Sequence, residues 1–382
     1  MKKICFITTI SATLESFVLP VAKYLLETTD WQIYMICDDD SEFKKELPTE
    51  ITYIPVSMKR GISLSGIKSM LKMKEIFKKE KFDLIQYSTP NASLYAALAG
   101  KFAKVPVRLY CQWGLAFVGM NGIKKRIFKQ IEKITCKLST WIEPDSKSNL
   151  KFAHEERLYK EGIGSVIGNG SACGVKLEKF DISQKYQYRE IIREKWNISK
   201  DVFVFGFVGR VTHDKGVNEL LKAFKLLLEH QNQIVLLIVG EIEGKDTLNQ
   251  ELFEWSLKCK NIVYTGNTKV VEQYLSSMDC YILPSYREGF GMGTIEAEAM
   301  EVPVVVTNIP GPIDAMIPEV TGKIVNKQDV ESLYNAMLEI YSLNNEARIE
   351  MGKEGRNFVV ENFEQKKLCH LILEDRKRLM NI

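Results

Sequence analysis

The sequence predicts an α/β protein made of two doubly wound parallel-sheet domains in tandem. Three observations carry this. Short apolar runs alternate with longer stretches of helical spacing, the pattern of strands and crossover helices. The alternation occurs twice, interrupted over residues 181–200 by a polar, charged stretch with no β-branched run. The chain has 382 residues, more than one core usually organises but enough for two domains of about 150–200 residues each.

In the first series, 4–7 reads as a buried strand, 14–26 as a helix and 32–36 as a second strand. Residues 83–86 and 107–109 are further strands, with the small-residue-rich helix 92–102 between them. The second series opens with a strand at 202–208. Over 217–228, Leu220, Leu221, Phe224, Leu227 and Leu228 fall on one helical stripe. Strands follow at 234–239, 262–264, 281–283 and 304–306. The expected organisation is a first domain over 1–180, a linker with a short helix over 181–200 and a second domain over 201–363. The tail 364–382 carries Leu368, Leu371, Ile372 and Leu379 at roughly helical spacing.

Composition narrows the chemistry. None of the eight cysteines lies in a C-x-x-C pair. Cys5 and Cys280 sit inside apolar strand-like runs, the usage of buried, reduced thiols in a cytoplasmic protein rather than of disulfides or a zinc site. His154, His213, His230 and His370 are scattered, and no metal site is expected. No apolar run approaches the ~18–20 residues of a membrane span, so membrane contact is expected to be peripheral, and Met1-Lys2-Lys3 does not open a secretory leader. Net charge is only +3, yet residues 51–150 hold 18 Lys and Arg against 6 Asp and Glu. Such a block suits an anionic partner or, more plainly, solvated helix faces. It contains no recognisable nucleic-acid module.

Ligands of open parallel sheets bind beyond the carboxyl ends of the strands. After the strand at 202–208 comes FVGRVTHDKG (207–216). Gly209 lets backbone approach a ligand; Arg210 and Lys215 supply a fork and a point charge for a diphosphate. After the strand at 281–283 comes PSYREGFGMGTIEA (284–297). Gly289, Gly291 and Gly293 make a loop leading into a helix whose N-terminus suits phosphate. Glu288 and Glu296 flank that loop. Carboxylates repel phosphate, so they are expected to accept from hydroxyls: a ribose on one side, a sugar on the other.

Glu288 and Glu296 form the E-x7-E pattern, and PSYREGFGMGTIEAEAM resembles the retaining GT-B glycosyltransferases of family 4, in particular bacterial capsular and O-antigen members. FVGRVTHDKG, VIGNGSACGVKLEKFD (166–181), YSTPNASLYAALAGKFAKVPVRLY (87–110) and MGKEGRNFVVENF (351–363) fit the same family, so the resemblance spans nearly the whole chain. It implies two facing Rossmann-like domains with a cleft between them, the C-terminal tail crossing back to the first domain. Arg210 and Lys215 would hold the donor diphosphate and stabilise the leaving group. Glu296 would take the ribose and Glu288 the donor sugar. Backbone of Gly289, Phe290, Gly291 and Met292 would line sugar and phosphate, Thr294 would cap the phosphate, and a uracil would sit near Gly266, Asn267 and Thr268.

The resemblance further implies a UDP-hexose or UDP-N-acetylhexosamine donor, retention of anomeric configuration without a metal or other cofactor, and a saccharide acceptor linked to polyprenyl diphosphate at the inner membrane face. On the acceptor side, Ser11, Thr13 and Trp113 are the expected residues. Two features depart from the family pattern. The loop Thr8 to Leu14 has no glycine pair, and Trp113 stands where many members have histidine, either stacking on a sugar or packing the loop. A UDP-sugar epimerase of the same fold and a catalytically silent nucleotide-binding partner are the competing readings. Residues 123–137 interleave Lys124, Lys125, Arg126, Lys129, Lys133 and Lys137 with Ile123, Ile127, Phe128, Ile131 and Ile134. This reads as a basic amphipathic helix, for an anionic membrane or for its own sheet.

Overall fold

The computed structural model describes residues 1–58 and 64–381; Ile382, the last residue of the predicted tail, lies outside it. The chain divides into two compact units, Met1–Gly174 with Gln365–Ile382, and Val175–Glu364.

The first unit holds a six-stranded sheet of β1 (Lys3–Ile7), β2 (Gln32–Cys37), β3 (Ile51–Pro55), β4 (Leu84–Tyr87), β5 (Val107–Gln112) and β6 (Trp141–Pro144), ordered β3-β2-β1-β4-β5-β6. Every pairing is parallel. Because both faces are covered, β1 and β4 are apolar or fully buried along nearly their whole length. The helix Gln365–Met380 covers one face, burying Leu368, Cys369, Ile372 and Leu373 in the core shared with Ile4, Phe6 and Leu109.

The second unit repeats the design with β7 (Phe203–Val208), β8 (Ile234–Val239), β9 (Ile262–Gly266), β10 (Cys280–Leu283), β11 (Val304–Thr307) and β12 (Gly322–Val325), ordered β12-β11-β10-β7-β8-β9 and parallel throughout. The helix Val217–Leu228 buries Leu220, Leu221, Phe224 and Leu227 as its stripe requires, while Leu228 is only partly buried against the same core. Each large side chain fully removed from water contributes about 1.5–3 kcal/mol. In both sheets the strand order reverses beside the first strand, between β1 and β4 and between β7 and β10. A crevice opens at such a point beyond the strand ends.

The structure revises three expectations. The stretch read as a linker with a short helix does hold one, Lys185–Lys195, but it belongs to the second unit, whose boundary falls at Val175 rather than beyond residue 180. Its charges misled because two of them are used internally. Arg193, 3% exposed, donates to the carbonyls of Ser199, Val202 and Ser277 and to Asp279, and Arg189 pairs with Asp279 at 2.8 Å. Strands β3, β6 and β12 were not expected; each is four or five residues long and broken by polar or proline positions. The predicted helix 14–26 begins with a wider π-type turn at Leu14–Val18 before Leu19–Thr28.

Candidate functional site

The loops beyond β7 and β10 lie on either side of the second sheet's switch point, and the chain ties them together. Gly216, at φ +71°, begins the helix Val217–Leu228; a Cβ there would come within 2.0 Å of the Pro284 carbonyl oxygen. This position needs glycine both for its backbone and for the close approach. The Tyr286 N–H donates to the Asp214 carbonyl (2.9 Å), Arg287 pairs with Asp214 at 2.8 Å, and the Tyr286 hydroxyl donates to Glu219 at 2.5 Å. Burial opposes ionisation of Asp214, but the Thr212 hydroxyl, then Arg287, Lys215 and Arg210, outweigh it and hold the carboxyl below its ordinary range.

Lys215 Nζ lies 2.5 Å from Glu288 Oε1, and both side chains are mostly buried. A cation and a carboxylate predicted from separate motifs, 73 residues apart, thus meet. Arg210 faces the other way, pairing with Glu243 at 3.0 Å with both side chains about half exposed. Such an exposed pair is worth under about 1 kcal/mol and exchanges readily for another anion.

Beyond β7, β8 and β9, a cavity of about 350 Å³ is lined by Gly209, Arg210, Gly240, Glu243, Asn267 and Thr268. Its floor is drawn tight: Gly209 donates to Val239, Gly240 donates to Gly266, and a Cβ at Gly240 would meet the Gly209 carbonyl at 2.0 Å. Asn267 is exposed at the rim, its side-chain oxygen accepting from the Thr268 N–H.

The helix Met292–Ala299 starts at Gly291, φ +91°. Phe290 is buried edge-to-face on Phe363, ring centres 5.1 Å apart, so its ring anchors the loop and only its backbone is placed to face a ligand. Glu296 is partly buried on the second turn. Burial pushes its carboxyl up to about 7, Lys179 opposing and Glu272 adding to the shift. Lys179 and Glu272 are themselves 3.6 Å apart. Thr294 differs from expectation. Its side chain is fully buried with no partner for its hydroxyl, and its N–H donates to Gly291. Helical spacing turns residue 294 toward the sheet, so a phosphate at the helix start would not reach its hydroxyl without rearrangement.

In the first unit, Ser11 and Thr13 occupy one helical turn beyond β1, and the Ser11 hydroxyl donates to Asp40 at 2.6 Å. That bond, with the amides of Phe43 and Glu42, holds the Asp40 carboxyl below its ordinary range despite some burial. Trp113 is half-buried with its ring centre 5.6 Å from Phe17, which fills the packing role and leaves part of the ring exposed. The glycine-free loop is closed by hydroxyls: Thr9 N–H donates to Thr89 Oγ1 at 3.0 Å, and the two hydroxyl oxygens are 2.7 Å apart.

Sequence reasoning missed Asp214, Arg287, Glu243, Glu272 and Lys179 as members of these clusters. Asp214, Arg287 and Lys179 lie inside the motifs already quoted, and the first two could have been read as partners of opposite charge. Glu243 and Glu272 carry no local signal. Among the described residues no group of three or more His, Cys, Asp or Glu is placed to hold a metal ion.

A family model for glycosyl transferases group 1 matches residues 188–358, and one for glycosyl transferase 4-like proteins matches residues 3–145. The chain is 31% identical to the capsular polysaccharide biosynthesis glycosyltransferase CapM of Staphylococcus aureus, over 88% of this chain and 87% of that protein. It is 26% identical to an Escherichia coli UDP-Gal:alpha-D-GlcNAc-diphosphoundecaprenol alpha-1,3-galactosyltransferase, over 89% and 87% respectively. Among solved structures, a Rickettsia africae glycosyltransferase superposes with a TM-score of 0.81 at 22% identity, covering 99% of this chain and 98% of that one. Anabaena HepE in complex with UDP superposes at 0.79 and 17%, covering 99% and 100%. With two six-stranded parallel sheets of Rossmann order, these matches establish that the chain belongs to the group 1 glycosyl transferases, family 4 of the GT-B glycosyltransferases.

Proposed function

We propose that this glycosyltransferase moves a hexose or N-acetylhexosamine from a UDP-sugar to a lipid-linked saccharide during cell-surface polysaccharide synthesis, with retention of anomeric configuration and without a metal. The observation that carries the reading is the Lys215–Glu288 pair, held between a cationic turn and a glycine-laced helix start at the switch point of the second sheet. The printed activities of relatives support the substrate class: the Escherichia coli protein above, and a Campylobacter jejuni N,N'-diacetylbacillosaminyl-diphospho-undecaprenol alpha-1,3-N-acetylgalactosaminyltransferase at 25% identity over 88% of this chain and 89% of that protein.

In this reading the uridine enters the cavity beside Asn267 and Thr268, and Glu296 accepts from the ribose hydroxyls. Arg210 leaves Glu243 for the diphosphate, Lys215 stays beside it, and backbone of Gly289 to Met292 lines sugar and phosphate. Thr294 would join the phosphate cap only by shifting from its buried position. Glu288 accepts from the donor sugar. The acceptor hydroxyl, positioned by Ser11, Thr13 and Trp113, attacks the anomeric carbon from the leaving-group face. The bond to the diphosphate oxygen breaks, and a β-phosphate oxygen takes the acceptor's proton. Negative charge grows on the departing UDP, where Lys215 and Arg210 stabilise it.

The test incubates the protein with a panel of UDP-sugars and follows UDP release with and without polyprenyl-diphosphate-linked saccharides. Release only with acceptor, giving an α-linked product from an α-configured donor, supports the reading. Isomerisation of the donor without acceptor would make the protein an epimerase, and UDP binding with no turnover would make it a silent partner.

The state of Glu296 yields a pH prediction. Accepting from ribose requires the carboxylate, whereas burial keeps half of it protonated near pH 7, among Lys179, Glu272 and the Tyr281 phenol. A bound ribose favours the ionised form, so affinity should rise as pH increases through 7. The expected gain from pH 6 to pH 8 is about tenfold for a UDP-sugar, whose diphosphate stays fully ionised over that range. Calorimetric titration checks it, and Glu296→Gln should flatten the profile.

The same reading gives the basic helix a use. Gly122–Leu138 buries Glu132, Thr135 and Cys136 but leaves Ile123, Ile127 and Ile134 at 76%, 49% and 47% exposure beside exposed Lys124, Lys125, Arg126 and Lys137. Apolar tips among cations suit an anionic lipid surface. The protein is expected to float with vesicles containing phosphatidylglycerol and not with phosphatidylcholine alone, and Ile123→Asp with Ile127→Asp should abolish flotation. Equal partition to both vesicles would remove this part of the proposal.

A further inference from the structure

Tyr281 stands on β10 beneath the first turn of the helix Met292–Ala299. It is fully buried, and its hydroxyl has no hydrogen-bond partner. A Cβ on Gly293 would lie 2.3 Å from the hydroxyl oxygen, so the phenol tip sits directly under that residue. Gly293 is not among the residues at positive φ. Glycine at 293 is therefore explained by space, not by backbone conformation: it makes room for the Tyr281 hydroxyl.

The environment keeps that hydroxyl a donor. Burial first, then the charges of Glu288 and Glu296, oppose loss of the phenol proton. Both carboxylates are thus close enough to act on it, yet neither accepts its proton in a hydrogen bond. Glu296 is three residues beyond Gly293 on the same helix. Helical side chains lean toward the N-terminus and meet at i and i+3, so a modest turn of Glu296 carries its carboxylate over the patch that Gly293 leaves bare. Two further hydroxyls of this segment, Ser285 and Thr294, are likewise fully buried without partners. A buried unpaired hydroxyl costs stability, and phenylalanine would fill the same space without that cost. The hydroxyl therefore has a use that packing does not explain.

We propose that Tyr281 is a positioning residue of the donor site, its hydroxyl donating to the Glu296 carboxylate when a nucleotide's ribose draws that side chain across Gly293. This rests on the reading that Glu296 takes the ribose, and the experiment separates the two. UDP affinity is measured by calorimetric titration for the full-length protein, Tyr281→Phe, Glu296→Ala and the double variant, with the melting temperature of each. Tyr281→Phe is expected to weaken UDP binding about tenfold, the scale of one hydrogen bond to a charged group, while melting at the same or a higher temperature. In the Glu296→Ala background the same change should cost nothing further, because the two residues act as one unit. Unchanged UDP affinity in Tyr281→Phe, or the same loss with and without Glu296, overturns the proposal and leaves the donor site standing. Equal UDP binding by the unaltered protein and Glu296→Ala overturns the ribose assignment, and Tyr281's role with it.

Discussion

Lys215→Ala is expected to lower turnover at least ~100-fold, the scale of losing a charge that acts on the transition state. Nζ is fixed by Glu288 at 2.5 Å, and the two loops that bear them are joined by Arg287–Asp214 and by the Tyr286 amide, so the cation does not wander. An ammonium already in place spends nothing on reorganisation as negative charge develops on the leaving diphosphate. The loss should fall mainly on kcat, because on the proposed reading Arg210 and the helix start would still hold the ground-state phosphates. Glu288→Ala should lose a comparable factor by a different route, since it removes the acceptor for the donor sugar and leaves Lys215 unanchored. Steady-state UDP release with a lipid-linked acceptor measures both. Full activity in either variant refutes the roles assigned here.

Arg376→Met is expected to cost the first unit about 3–5 kcal/mol, because it leaves a buried carboxylate without its cation. Arg376 is 1% exposed in the helix Gln365–Met380. Its guanidinium donates to both oxygens of Glu143 on β6, to Gln86 Oε1 on β4 and to Asp375. Burial disfavours the charge, but Glu143 more than compensates and holds the guanidinium's proton more tightly than usual. Urea unfolding followed by tryptophan fluorescence reports on it, since Trp31, Trp113 and Trp141 belong to this unit and Trp141 lies under Arg378 at 4.6 Å. Glu143→Gln added to Arg376→Met should restore part of the loss by removing the stranded charge. No change in the unfolding midpoint of Arg376→Met would show that the network contributes little.

The sequence made the glycine loop legible because each of its demands is local. Gly291 must adopt a left-handed backbone, and the carboxylates lie at a spacing that one loop and one helical turn dictate. The two parallel-sheet units followed from two series of buried apolar runs, although β3, β6 and β12 left no such run. What failed to show was long-range. Nothing near Lys215 announces Glu288, and nothing near Arg193 says that its charge is neutralised 86 residues away by Asp279. A buried arginine on a helix is spelled like a surface one, which is how the short helix of 181–200 came to be set outside the second domain. Thr294 was misplaced for a simpler reason: proximity to a ligand loop in sequence does not decide which face of the helix a side chain takes. Gly293 was credited to the ligand, whereas the structure shows it making space for Tyr281.

The closing helix of the chain has a consequence for the order in which the protein matures. Leu368, Ile372 and Leu373 complete a core begun by Ile4 and Phe6, yet more than 350 residues separate their synthesis. Val175–Glu364 is continuous in sequence and can collapse as soon as it leaves the ribosome. The first unit must wait, part of its core uncovered, until the helix Gln365–Met380 has been made. A nascent chain arrested just before Gln365 should hold a finished second sheet and an unfinished first one, so the half made earlier is the half sealed later.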